Sequence, residues 1–137
     1  MEDRRVTEEE ARGIIEGGSR KITDADIETV LRREEEIGRK FRGPLGKFVA
    51  DGRTLMDMIR DYWKGNYRGV PWWTITAAAT ALLYVLNPMD VVPDFIPFLG
   101  LVDDATVLSV CLYILDRDIQ RYRTAKLSAA NPGEPQQ

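Results

Sequence analysis

The chain contains no histidine and only one cysteine, Cys111. Without imidazole, His-based triads, imidazole metal sites and the usual near-neutral acid–base group are excluded. Zinc loses its common donors as well. One cysteine cannot close an internal disulfide, and its position within the apolar run Val107–Leu115 predicts a small buried side chain. Positive charge is also short. Nineteen bases against twenty-two acids leave a formal charge of −3, which argues against a broad nucleic-acid footprint. No stretch alternates like a half-buried strand, and Met1-Glu2-Asp3-Arg4-Arg5 opens on charge without an apolar core, so no secretory signal is expected.

What is present fits one folded domain: 137 residues can bury a modest core, and 44% hydrophobic content is too high for wholesale disorder. Charge is unevenly placed. Residues 1–68 hold fifteen acids and fifteen bases, whereas 69–137 hold seven acids and four bases.

Helical periodicity accounts for most of the chain, and an all-α domain of about five helices is predicted. Thr7-Glu8-Glu9-Glu10 matches a capping box for a short first helix that can exit at Gly17-Gly18. Thr23 or Asp24 starts a second, with Ile27, Val30, Leu31, Ile37 and Phe41 along one face and Gly43-Pro44 as its stop. The third is the most amphipathic, with Leu45, Phe48, Val49, Gly52, Leu55, Met56, Ile59, Tyr62 and Trp63 at three- and four-residue steps. Pro71 suits the first turn of a fourth helix, which Asn87-Pro88 ends near Leu86. Asp103 or Asp104 opens a fifth, reaching about Tyr122 and pairing with the fourth as a C-terminal hairpin. Residues 1–61 are thus expected to be amphipathic helices packed on the core, 62–123 the hairpin unit, and 124–137 a disordered tail.

The unusual chemistry sits in the hairpin's connection. Asn87, Pro88, Asp90, Pro93, Asp94, Pro97, Gly100, Asp103 and Asp104 alternate with Val, Ile, Phe and Leu, and no basic residue joins them. Buried carboxylates need partners. Backbone capping by each Asp is one answer, with these residues acting as a structural motif. A hard-cation site on Asp90, Asp94, Asp103 and Asp104 is another, since calcium and magnesium prefer carboxylate oxygen, although the spacing does not match the twelve-residue calcium loop. Pairing with Arg117 or Arg121 is a third.

The order Asn-Pro-x-Asp, Pro-Asp-Phe-Ile-Pro, Gly-x-x-Asp-Asp, preceded by Tyr67-Arg68-Gly69-Val70-Pro71-Trp72, resembles the YkvA-like family of domains of unknown function, over roughly Tyr62–Arg123. The resemblance implies a helical fold and brings no established reaction. It also implies membrane association, because members are commonly described as membrane proteins.

Gly69 to Met89 forms 21 residues without charge, about the length of a spanning helix (~20 residues). Tyr62, Trp63, Tyr67, Trp72 and Trp73 gather at its start with Lys64 and Arg68, like an interfacial belt for membrane or partner contact. Cations flank the hairpin and its loop carries only acids, as expected with both termini in the cytoplasm. Against spanning, the helix itself is nearer 15 residues, Thr74, Thr76 and Thr80 dilute its hydropathy, and the return segment Ala105–Leu115 has only 11 uncharged residues. The leading expectation is therefore a non-catalytic, membrane-associated or adaptor domain without a cofactor or an identifiable small-molecule substrate. A soluble cytoplasmic domain that binds protein partners or itself, and a divalent-cation domain or enzyme using the Asp cluster, are the alternatives. Nucleic acid is not expected as a partner, since two cations beside Tyr62–Trp73 make a thin electrostatic funnel.

Overall fold

The structure is a computed structural model that describes residues 4–43, 45–88 and 103–130. The described residues form seven α-helices and a short 3₁₀ turn, with no strand among them. These are α1 (Arg4–Ser19), α2 (Asp24–Arg32), α3 (Glu34–Phe41), α4 (Val49–Lys64), α5 (Trp72–Leu86), α6 (Asp104–Ile114) and α7 (Asp116–Ala130), with the turn at Gly46–Phe48 leading into α4. The all-α expectation holds, and the two additional helices come from breaks within expected ones. The second expected helix divides at Arg33, and the last divides at Leu115.

Several boundaries follow local chemistry. Thr23 caps α2 in a reciprocal box: its hydroxyl accepts from Asp26 N at 3.3 Å, while the Asp26 carboxylate accepts from Thr23 N at 2.8 Å. At the end of α5, Asn87 leaves the helical region at φ −157°, as required before a proline. Two boundaries differ from the expectation. α1 begins at Arg4, ahead of Thr7, and runs through Gly17 to Ser19, so it is not short. Ala11, Ile14 and Ile15 on its inner face are buried against α5 and α6, and that packing outweighs the glycines' weak propensity. α7 continues to Ala130, past the expected end near Tyr122 and into part of the expected tail. Thr124–Ala130 contains Ala, Lys and Leu, good helix formers with no breaker.

The core is organised around α5. Its apolar residues are not confined to one stripe, and a helix of that kind has to be covered on all sides. α1, α2, α3, α4 and α6 all pack on it, and every residue from Thr74 to Leu82 is buried. The three threonines are satisfied at the positions where they dilute the hydropathy. Thr76 donates to Trp73 O at 3.0 Å, Thr80 to Thr76 O at 2.7 Å, and Thr74 to the Asp118 carboxylate at 2.5 Å. α5 and α6 lie side by side as the expected hairpin, with Cys111 Sγ 3.9 Å from Ala77 O. Burial pushes the Cys111 thiol up to about 12, so it stays protonated and inert. The α4 stripe turns inward as well: Gly52, Leu55, Met56, Met58 and Ile59 are buried.

At Gly52, α4 lies close against Phe41 of α3. A Cβ there would lie 2.6 Å from two atoms of the buried Phe41 ring, whereas one at Gly13 on α1 would meet nothing within 4 Å. Gly52→Ala should therefore destabilise the fold by about 1–3 kcal/mol through overpacking. Gly13→Ala should stabilise it by up to about 1 kcal/mol through helix propensity. Urea unfolding midpoints check both signs.

Candidate functional site

The aromatic end of the fold is built where α4 stops and α5 starts. Gly65 takes a left-handed conformation at φ +83°, and Asn66 N and Tyr67 N both return to Asp61 O, at 2.8 and 3.1 Å. This tight exit folds Tyr67 and Arg68 back over the last turn of α4. The Arg68 guanidinium stacks 5.0 Å from the Tyr62 ring centre, and its Nε donates to Tyr62 O at 3.0 Å. On its other side Tyr62 meets Trp72, with ring centres 5.8 Å apart. The structure divides the five aromatics. Tyr62, Trp63 and Tyr67 pack partly buried against the core, while Trp72 and Trp73 remain 39% and 42% exposed.

α7 is brought to this end by contacts that cross long stretches of chain. Tyr122 is buried against Tyr67, edge to face at 5.1 Å, and its hydroxyl donates to the Asp61 carboxylate at 2.5 Å. Lys126 donates to the same carboxylate at 3.3 Å. Nearly three turns further back on α4, Arg123 donates to Asp51 at 2.8 Å and lies 3.4 Å from the Thr54 hydroxyl. Thr74 reaches Asp118 from α5. Burial opposes ionisation of Asp61, but the bonds from Tyr122, Lys126 and Asn66 outweigh it and hold the carboxyl below its ordinary value. Burial, and then the Asp61 carboxylate, push the Tyr122 hydroxyl above its ordinary value, so it remains a donor.

These contacts bring the exposed cations Arg117 and Arg121 of α7 toward the end that carries Lys64 and Arg68. None of the four has an acidic partner among the described residues. The expected pairing of Arg117 or Arg121 was with aspartates of the hairpin connection, of which Asp90 and Asp94 lie outside the described residues; within them, Arg123 and Lys126 pair with acids of α4. That clasp was not foreseen from the sequence. A signal was available in Tyr122, Arg123 and Lys126, which present an aromatic and two cations within little more than one helical turn.

Of the acidic motif, Asp90, Pro93, Asp94, Pro97 and Gly100 lie outside the described residues, and Asn87, Pro88, Asp103 and Asp104 lie within them. Asp103 caps α6. Its carboxylate accepts from Thr106 N at 2.8 Å and from the Thr106 hydroxyl at 3.0 Å. Asp104 is partly buried. Its carboxyl is raised above the ordinary value by that burial and by the charge of Asp103, with Lys40 opposing. Of the four candidate cation ligands, Asp103 and Asp104 are therefore adjacent in space, and Asp103 already uses both oxygens locally. Among the described residues no group of three or more acidic or thiol side chains is placed to hold a metal.

The Asp61 clasp has a defined pH dependence. A carboxyl held below its unfolded value contributes fully above the ordinary carboxylate range, and that contribution fades as pH falls through the range toward the folded value. Asp61→Asn should cost about 1–2 kcal/mol at neutral pH by removing charge-assisted bonds. It should also lose less stability than the parent between about pH 6 and about pH 2. Urea titrations across that interval measure both effects.

Comparison with known proteins gives the fold a family. Residues 74–110, from the third residue of α5 into α6, match the model described as "Protein of unknown function (DUF1232)". The chain is 32% identical over 74 residues to the "Uncharacterized membrane protein YkvA" of Bacillus subtilis (strain 168), covering 54% of this chain and 70% of that relative. No solved structure matches. The α5–α6 hairpin is thus the shared element, and the chain belongs to the YkvA-like family of DUF1232 domains, whose function is unassigned.

Proposed function

We propose that this is a non-catalytic domain that rests on an anionic membrane surface through the Trp72–Trp73 end and keeps its hairpin inside the protein. The observation that carries this reading is the pair of adjacent, half-exposed tryptophans at the start of α5. An indole is costly to leave in water and suits the headgroup zone, where an apolar body and a polar N–H are both accommodated. Lys64, Arg68, Arg117 and Arg121 supply attraction to anionic headgroups, at about 1 kcal/mol for each cation near the surface.

The mode of attachment follows from α5. Among the described residues no helix is long and apolar enough to cross a membrane. The apolar length of α5 is already covered by five helices, so it has no side to offer to lipid. At 15 residues it would extend about 22 Å, against a hydrocarbon core of about 30 Å. Surface contact needs neither spanning nor unfolding. It also leaves both chain ends on one side, and the anionic cytoplasmic leaflet is the surface this reading assigns. The membrane description of the Bacillus relative supports association in general terms.

Self-association through the α4 stripe has less to support it, because Gly52, Leu55, Met56 and Ile59 of that stripe are buried, although Val49 is exposed. Co-sedimentation with vesicles of phosphatidylcholine, with and without one quarter phosphatidylglycerol, tests the proposal. The chain should pellet with the anionic vesicles, and high salt should release it. Replacing Trp72 and Trp73 with Ser should weaken binding about tenfold or more, from the apolar area withdrawn. Retention in the supernatant with anionic vesicles, as a monomer or a heavier particle, would overturn it.

A further inference from the structure

A second feature lies away from the aromatic end. The ends of α2 and α3 and the beginning of α4 enclose a cleft of about 540 Å³, within the size range of small-ligand pockets, about 300–1,000 Å³. Its accessible apolar surface comes from Leu31 and from Val49, which is 42% exposed, with the buried Ile37, Phe41 and Met56 beneath.

The charges around this cleft do not balance. Its two acids are engaged elsewhere: Glu34 pairs with Arg60, and Glu35 with Arg39 at 3.3 Å. Its arginines are not. Arg42 and Arg53 have no ion-pair partner among the described residues, and Arg32 makes only a 3.4 Å contact with the Thr29 hydroxyl. An apolar trough bordered by uncompensated guanidinium groups complements a ligand with an apolar body and an anionic end. Arginine is the side chain best matched to carboxylate and phosphate oxygens.

We propose that this cleft binds a single-chain amphiphile with a carboxylate or phosphate head. The head is drawn to Arg42 and Arg53, and the chain lies over Leu31 and Val49, above the buried Phe41 and Met56. The cleft shares no residue with the Trp72–Trp73 end, so this proposal stands or falls independently of membrane docking.

Isothermal titration of the full chain with decyl phosphate, decanoate, decyltrimethylammonium and inorganic phosphate, below the micelle thresholds, tests it. At least one of the two anionic amphiphiles should saturate a single site, and which of them binds more tightly identifies the preferred head. Decyltrimethylammonium should bind at least about tenfold more weakly, and the R42Q/R53Q double variant should lose about tenfold or more for the anions. Both arginines are exposed, so far-UV circular dichroism should show that variant fully helical. The Trp72/Trp73 double Ser variant should bind the amphiphile as the parent does, and the Met56 methyl resonance should shift on saturation. Four results would each overturn the proposal: no saturable anion binding, equal binding of the cationic amphiphile, parental affinity in folded R42Q/R53Q, or loss of binding in the tryptophan variant. Saturation by inorganic phosphate as tight as by decyl phosphate would remove the apolar half of the site, and with it the proposal.

Discussion

A helix that is apolar around its whole circumference has to be enclosed, and α5 sets this requirement for the rest of the molecule. Five helices pack on it. That enclosure explains why a 137-residue chain of ordinary composition uses so many short elements. α2 and α3 are nine and eight residues long, too short to persist alone, and each is stabilised by burying its Ile, Val or Phe residues against the centre. Threonines inside α5 would be a liability in lipid or in a loosely packed core. Here two of them bond to carbonyls of their own helix, and Thr74 reaches a carboxylate on α7. The central helix thus has its polar groups satisfied from within the protein.

α7 is held by a different kind of interaction. Its attachment to α4 and α5 runs through Tyr122, Arg123, Lys126 and Asp118, and among the described residues of α7 the buried apolar surface comes from Ile119 and Tyr122. Hydrogen bonds with charged partners depend on geometry in a way that apolar contact does not. They place the cations of α7 at a definite position relative to the tryptophans of α5. The proposed surface for lipid and the packing of the last helix are therefore two results of one set of contacts.

Local signals gave most of the fold. Thr23 or Asp24 marked a start, and Pro71 with Asn87-Pro88 bracketed α5 to within a residue. The divisions at Arg33 and Leu115 carried no glycine or proline to mark them. The 21-residue uncharged run was equally visible, but composition reports that a segment must leave water and cannot say whether lipid or protein receives it. The Asp61–Tyr122 bond joins residues 61 apart, and no periodicity within either helix encodes such a pairing. The cleft beside Arg42 and Arg53 was hidden for a related reason. Its acids and bases are mixed along the sequence, and only the pairing of Glu34 with Arg60 and Glu35 with Arg39 leaves the arginines in excess.

The seam between α5 and α6 carries the chain's one sulfhydryl, closed off from solvent and facing a carbonyl across the hairpin. With Cys111 fully buried, the packing around it must open before an alkylating reagent can reach the thiol. Cys111 is consequently a built-in gauge of that opening. The rate at which it is labelled in intact cells would report how often the packing around the shared element of this family comes apart, with no dye or tag introduced.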